Sequence, residues 1–498
     1  MKVLLINPNR SYGSGTQAPG VGLPLGLLFI AANLERQGVP VALFDCLIAP
    51  ETRLRSTADG SSLGVEESVL RARLLTEGPS LVGISCQYTA QWVHALAAVR
   101  MVRETLPRCS IVLGGPHATV AGREILRAHS EVNFVIAGEG EYALPQLATA
   151  LAGGDLAALA SISGLLWRDQ CGEIEANPAK LIDDLDALPL PAYHLIDFER
   201  FYQLHRQGLF VRDDRDHAVS MITSRGCPYT CTFCSIHLSM GHRWRAHSVD
   251  YILSHIKLLK EQYGVRHLQI EDDHFTFKRE RVMEICRRLV EEGLGMTWDT
   301  PNGVRADTLN DELMTLMKQS GCIELAVAAE SGDQEVLDRI VKKKLDLRHI
   351  ENAAALAYRH RIRLGCFFVI GFPGETRRQI ETTLRFALRL YRKFNCFPMV
   401  NVATPLPGTE LAQIVAEQRL LAGEMTPMNL ARATSRAGWG LIRTDEFDPQ
   451  YIHRRCQRLR LQLRMIRAWF LLRHPIALFR ELSSRIEQFG KRVQPAAS

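Results

Sequence analysis

Missing from these 498 residues is any charge-free apolar run of the roughly 18 residues that a membrane-spanning helix requires, so a soluble or peripheral protein is expected. The N-terminus MKVLLINPNR enters directly as an apolar strand. It lacks the basic start, apolar run and small-residue cleavage site of a signal peptide, and a cytoplasmic location is expected. No G-x-G-x-x-G follows that first strand, which disfavours a dinucleotide. Nor is positive charge spread over the chain. The net +6 hides a tail from Tyr451 onward with eleven Lys or Arg against Glu481 and Glu487, a net +9, leaving the preceding residues at −3. A nucleic-acid-binding body is thereby disfavoured, because a broad phosphate footprint needs clustered Lys and Arg on the folded domains. No internal repeat or low-complexity tract is visible. The length implies two or three domains. Twelve cysteines in a reducing compartment read as metal ligands or buried small hydrophobes rather than disulfides.

What is present is alternation. In the first 150 residues VLLINP, PVALFD, LVGISC, SIVLGG and FVIAGE look like buried strands. PLGLLFIAANLERQG and TAQWVHALAAVRMVRETLP look like helices between them. This pattern predicts a doubly wound parallel sheet. Such sheets bind ligands beyond the carboxyl ends of their strands, here Asn7-Pro8, Ser85, Gly114-Gly115 and Gly138-Glu139-Gly140. Glycines there let a backbone approach something large, or simply make tight strand-to-helix turns. From Gly153 to about Phe210 the pattern weakens, and LIDDLDALPLPAYHLIDF reads as a surface linker.

After the linker, AVSMITSRG, HLQIEDD, TWDTPNGVR, IELAVAAESG, LGCFFVIGF and MVNVATPLPG are strand-like, with SVDYILSHIKLLKEQYG and RERVMEICRRLVEEG among the helices. Six strand-helix units predict a complete or partial parallel barrel, whose active site gathers at the carboxyl ends. At those ends lie a cysteine loop, Glu271-Asp272-Asp273, Glu330-Ser331-Gly332, Gly371-Phe372-Pro373-Gly374 and Pro405-Leu406-Pro407-Gly408.

The cysteine loop, RGCPYTCTFCSIHLSMGHRW, groups Cys227, Cys231 and Cys234. His237 or His242 could complete a Cys3His zinc site. Against that, a closed structural site has no reason to occupy an active-site mouth. Three thiolates on a 4Fe-4S cluster leave one iron open for chemistry. An electron carrier would normally have four cysteine ligands. The remaining cysteines, Cys366 and Cys396 among them, read as small hydrophobes.

CPYTCTFC, with Phe233 before the third cysteine, resembles the signature of the radical S-adenosylmethionine enzymes, and the resemblance extends over about residues 216 to 410. It implies that the open iron chelates S-adenosylmethionine, which is cleaved to methionine and a 5′-deoxyadenosyl radical. It implies further that Phe233, Asp272, Asp273, Glu330, Ser331, Gly371, Pro373 and Pro405 hold S-adenosylmethionine. An acid at a strand end could instead cap the following helix.

The N-terminal sheet, with PLGLLFIAANLERQG after its first strand and GGPHAT after its fourth, resembles the cobalamin-binding domain fused ahead of many such enzymes. Pro8, Ser85, Gly114, Gly115, Gly138 and Glu139 are then the implied cobalamin contacts. The D-x-H-x-x-G motif is absent, since neither Asp45 nor Asp59 has a histidine two residues on, so cobalamin without a histidine from that motif is expected. His117, at a helix start, reads as structural.

The resemblance implies an α/β chain: a cobalamin-binding-like open sheet over 1–150, a linker over 151–215, a partial (β/α)6 radical SAM barrel over 216–415 and an α-helical C-terminal region with a basic tail over 416–498. It implies a 4Fe-4S cluster, S-adenosylmethionine and cobalamin as cofactors, and an electron donor such as flavodoxin or ferredoxin. The expected activity is methylation of an unactivated carbon in a small molecule, natural product or lipid. The alternative is cyclisation, ring contraction or carbon-carbon coupling without methyl transfer. In the tail, arginines alternate with Leu463, Ile466, Trp469, Phe470, Leu471, Ile476 and Phe479, and Pro475 interrupts them. That is the composition of a helix at a membrane interface, or of one that lays an apolar stripe on its own domain.

Overall fold

The computed structural model describes residues 1–13, 21–58, 60–207, 215, 217–434 and 438–473. Among those before residue 180 lie β1 (Val3–Asn7), β2 (Arg10–Gly13), β3 (Val41–Asp45), β4 (Arg53–Thr57), β5 (Gly60–Gly64), β6 (Leu81–Ser85), β7 (Ser110–Gly114), β8 (Phe134–Ile136), β9 (Leu165–Arg168) and β10 (Ile174–Ala176). The five apolar runs are β1, β3, β6, β7 and β8. They pair in parallel in the order β8-β7-β6-β1-β3. The chain reverses direction of winding between β1 and β6, which is the switch point where such sheets open a crevice. Every residue of β1 is buried, as a strand covered by helices on both faces must be.

Two features escaped the apolar pattern. The segment expected as a linker adds an antiparallel hairpin, β9 and β10, to the sheet edge. The polar strands β2, β5 and β4 form a separate antiparallel sheet beside it. Residues 193–202 of the same linker bury Tyr193, Phe198, Phe201 and Tyr202. The Tyr193 hydroxyl lies 2.8 Å from His255 Nε2 and the Tyr202 hydroxyl donates to the Tyr263 carbonyl at 2.8 Å, both on the helix Val249–Tyr263. The linker is therefore a packed strap.

Beyond it come β11 (Ala218–Met221), β12 (Ser224–Arg225), β13 (Arg245–Ala246), β14 (His267–Ile270), β15 (Thr297–Val304), β16 (Cys322–Glu330), β17 (Arg363–Ile370) and β18 (Phe397–Val402). β11, β14, β15, β16, β17 and β18 pair in parallel in that order as an open, partial barrel. The short β12 and β13 pair antiparallel, Arg225 opposite Arg245, and close the base of the cysteine loop. One apolar cluster runs from Val3 and Leu5 through Tyr193 and Phe201 to Leu268 and Val327, so the two sheets share a core.

The helix Pro449–Arg473 packs beside the ends of β17 and β18. Ile452, Cys456, Leu459 and Leu463 are buried in an apolar cluster with Ile370, Phe372 and Val402, and Ile466 packs against it. The expected apolar stripe on its own domain is thus met by Leu463 and Ile466. Trp469 is exposed and Leu471 half-buried. The side chain of Phe470, together with Pro475, Ile476 and Phe479, lies outside the described residues.

Trp298 on β15 is 1% exposed, packs edge-on against Phe275 and donates its indole N–H to Ser320. Trp298→Ala leaves both a void and an orphaned acceptor. The expected loss is about 3–5 kcal/mol, read from the urea midpoint of unfolding, and a loss below about 1 kcal/mol would contradict this packing.

Candidate active site

The cysteine loop is built from its first residues. β14 ends at Ile270, and the buried carboxylate of Asp272 accepts from the Thr223 N–H at 2.5 Å, the Thr223 hydroxyl at 2.6 Å and the Ser224 hydroxyl at 2.6 Å. Asp273 accepts from the Gly226 N–H at 2.7 Å. Gly226 itself takes φ +85°, and a Cβ there would stand 2.4 Å from the Arg243 carbonyl, so only glycine fits. Burial pushes the Asp273 carboxyl up to about 6 against the pull of that N–H. Both acids named from the sequence as S-adenosylmethionine contacts therefore hold the protein's own loop. Neither acts as a helix cap.

The middle of the loop is tied to the barrel rim. The Thr232 N–H donates to the Val341 carbonyl at 3.2 Å, its hydroxyl to the Ile340 carbonyl at 3.0 Å, and its carbonyl accepts from the Leu411 N–H at 2.9 Å. Phe233 packs on Phe372, ring centroids 5.8 Å apart, and joins the apolar cluster under the last helix. Cys227, Cys231 and Cys234 are left half-buried. Burial raises all three thiols, Cys234 to about 12.

Two cations oppose that burial. Lys343 is buried and pairs with Glu330 at 2.8 Å, and its charge lowers Cys231 and Cys227. Arg305 lies 3.8 Å from the Tyr229 ring centroid, pairs with Asp307 at 2.7 Å and donates to the Lys343 carbonyl at 3.0 Å. Thiolates are the ligating form, so cations beside them favour ligation. Neither residue was found from the sequence. Lys343 sits in the run VKKKL, which reads as a solvated surface, and only the fold buries it. Glu330, the expected S-adenosylmethionine contact, takes φ +64° at the end of β16, a left-handed backbone rare outside glycine.

The remaining barrel residues lie around the same rim. The Ser331 hydroxyl is 2.9 Å from that of Thr383. Gly371 has φ +88° and, with Phe372, donates its N–H to Glu375 Oε2 at 2.7 and 3.1 Å, which sets the turn carrying Pro373. The turn after Pro405 brings Gly408 against both Leu238 and Val120, one from each half of the chain.

On the first sheet, Pro8, Ser85, Gly114, Gly115 and Gly138 lie at the carboxyl edge. Gly114 has open space where a Cβ would stand, the kind of bare backbone a large flat ligand can approach. Glu139 is different. Its carboxylate is committed to Arg225 at 2.8 Å, to Arg245 at 2.7 Å and to the Ile182 N–H at 2.6 Å. His117 is buried, its Nδ1 is 3.1 Å from the Thr89 hydroxyl, and burial lowers it to about 4.

A cavity of about 520 Å³ joins the two halves. Arg10 lines it from β2, Tyr88 and His117 from the segments that follow β6 and β7, Ser235 and Leu238 from the cysteine loop, and Pro407 from the turn after β18. Among the described residues no three His, Cys, Asp or Glu side chains converge to hold a single ion. His237 and His242 instead stack on each other, 4.8 Å between centroids. Three thiols from one loop are the donor set of a 4Fe-4S cluster with one iron left to a non-protein ligand.

Two family descriptions match the chain, the Radical SAM superfamily over residues 221–387 and the B12 binding domain over residues 14–148. An uncharacterized methyltransferase of Pyrococcus horikoshii is 29% identical over 422 residues, 84% of this chain and 84% of that protein. The cytidylyl-2-hydroxyethylphosphonate methyltransferase of Streptomyces wedmorensis is 26% identical over 469 residues, 88% of this chain and 85% of that one. The radical S-adenosylmethionine methyltransferase TsrM from Kitasatospora setae, solved with cobalamin and a 4Fe-4S cluster, superposes with a TM-score of 0.67 over 84% of this chain and 78% of that one. At 18% identity the last likeness is one of fold. The chain is a radical S-adenosylmethionine enzyme. It carries a B12-binding domain ahead of the radical S-adenosylmethionine domain, with a 4Fe-4S cluster, S-adenosylmethionine and cobalamin as cofactors.

Glu375 offers a test of the rim. It is fully buried, its Oε1 finds no partner, and burial pushes the carboxyl up to about 7 from an ordinary 4.5, its two N–H bonds notwithstanding. The folded chain then holds a proton that the unfolded chain releases. The stability from this group is complete below about pH 4.5 and lost as pH rises through 7. Glu375→Gln lacks the titration. Its urea midpoints should fall less between pH 5 and 8 than those of the parent, a difference of up to about 3 kcal/mol, and parallel curves would contradict the raised value.

Proposed function

We propose that the protein is a cobalamin-dependent radical S-adenosylmethionine methyltransferase acting on an unactivated carbon of a small molecule. The observation that carries this reading is the cavity lined at once by the carboxyl-end loops of the first sheet and by the segment following Cys234. When bound, the cluster and S-adenosylmethionine supply the radical chemistry and cobalamin carries the methyl group. The chain's part is to bind, orient and exclude water.

Cys227, Cys231 and Cys234 hold the cluster, with Lys343 and Arg305 offsetting the thiolate charge. Phe233, Ser331, Gly371, Pro373 and Pro405 contact S-adenosylmethionine through apolar faces and backbone. Asp272, Asp273 and Glu330 keep the surrounding loops and Lys343 in position. Pro8, Ser85, Gly114, Gly115 and Gly138 present backbone to cobalamin. A one-electron donor of the flavodoxin or ferredoxin kind serves the cluster.

The test uses anaerobically reconstituted protein, methyl-labelled S-adenosylmethionine and a substrate extract. Label is expected in a new product, and alanine at Cys227, Cys231 or Cys234 is expected to abolish 5′-deoxyadenosine formation. Deoxyadenosine without label transfer would favour a cyclase or coupling enzyme. Cleavage that survives the triple alanine variant would refute the cluster assignment.

The last helix supports a lipid-surface contact. No described helix is long and apolar enough to cross a membrane. Leu461, Met465, Trp469 and Leu472 nevertheless form one exposed stripe along Pro449–Arg473, and that helix carries seven arginines and no acid. An anionic bilayer matches both features. Flotation with anionic vesicles should retain the parent at low salt and lose it at high salt. The combined Leu461→Ser, Met465→Ser and Leu472→Ser variant should stay in the vesicle-free fraction, and equal behaviour of the two proteins would remove the membrane contact.

A further inference from the structure

Four charged side chains meet in the interior where the two halves of the chain touch. Arg225, 5% exposed, points Nη1 at Glu139 Oε1 at 2.8 Å and Nη2 at Glu141 Oε1 at 2.7 Å. Arg245, its partner across the β12–β13 pair, bonds Glu139 at 2.7 and 3.0 Å and the Ile182 carbonyl at 2.6 Å. Phe29, on the helix Leu25–Arg36, lies 5.5 Å from the Arg225 guanidinium. Two acids from the first half thus neutralise two arginines from the second. Such a group contributes little net stability over apolar residues of equal size, yet tolerates the loss of neither partner. What it provides is fixed geometry, because a guanidinium bridging two carboxylates admits few arrangements.

The position of this group is unusual. Arg225 stands two residues before Cys227, separated by the glycine whose φ of +85° leaves the backbone no alternative residue. Glu139 directly follows Gly138, which has φ +80°, lies at the carboxyl edge of the first sheet and donates its N–H to Thr119 at 2.9 Å. From the backbone at Gly138 to Cys227 the path is two side chains, Glu139 and Arg225, the ion pair between them and one glycine. Burial raises Glu139, but Arg225 and Arg245 outweigh it and hold the acid below its ordinary range, so the pair stays charged.

We infer that Arg225 and Glu139 are positioning residues that link the cobalamin-side loop to the cluster loop, so that filling one site strengthens binding at the other. This rests on the cofactor assignment above. Linkage of this kind is reciprocal: if the cluster tightens cobalamin, cobalamin tightens the cluster by the same factor.

The experiment measures hydroxocobalamin affinity for apoprotein and for anaerobically reconstituted protein, in the parent, Glu139→Gln, Glu141→Gln and Arg225→Lys, with iron content determined in each. In the parent, reconstitution should tighten hydroxocobalamin about tenfold. In Glu139→Gln and Arg225→Lys the ratio should fall toward one while iron content is retained. A purely structural role would weaken both states alike and leave the ratio unchanged, which would overturn the inference. So would a ratio of one in the parent. If Glu139→Gln fails to fold, Glu141→Gln carries the same comparison, since its acid faces Arg225 without the Arg245 and Ile182 contacts. Absence of hydroxocobalamin uptake by the parent would instead overturn the cofactor assignment, and the inference with it.

Discussion

Two adjacent buried carboxylates, Asp272 and Asp273, fix where the cysteine loop begins. Through four hydrogen bonds they capture Thr223, Ser224 and Gly226, three consecutive positions save one, at the mouth of the barrel. Carboxylates in a dry interior accept bonds strongly because nothing else solvates them. Their cost of burial is visible in the raised Asp273, and it is met by donors that belong to the loop itself. The positions of all three thiols follow from that anchor and from the tie of Thr232 to Val341 and Leu411.

Electrostatics at the rim then runs in two directions. Burial disfavours thiolates, while Lys343 and Arg305 favour them, and each cation is held by an acid of its own. Lys343 depends on Glu330, which has a left-handed backbone at the end of β16. Strain of this sort persists only where surrounding packing over-determines it, and it clusters at functional positions.

Packing supplies the relation between the halves. A continuous apolar cluster, the aromatic strap at 193–202 and the buried Arg225–Glu139 pair join one sheet to the other. Their carboxyl ends consequently share a cavity rather than facing separate solvent. Proximity of the two sets of strand ends is a property of this junction, since neither sheet alone encloses the space.

Periodicity alone determined a good deal. The five parallel strands of the first sheet, the six of the barrel and the cysteine spacing were legible because fully buried strands read as apolar runs and because C-x-x-x-C-x-x-C stands next to a strand end. Polar strands such as RSYG and GSSLG, and the hairpin inside the proline-rich strap, carry no such signal, since edge and surface strands are set by pairing partners far along the chain. Roles within the site were the least legible. Asp272, Asp273, Glu330 and Glu139 could be picked out as acids at strand ends, but whether an acid faces a ligand or its own backbone depends on which donors arrive from elsewhere. Lys343 reads as one more solvated lysine until the turn at Val336–Val341 folds it beneath the thiols. Strand order and chemistry type follow from local pattern; partner choice among charges follows from long-range contact, because burial, which makes those charges matter, exists only once the tertiary structure has formed.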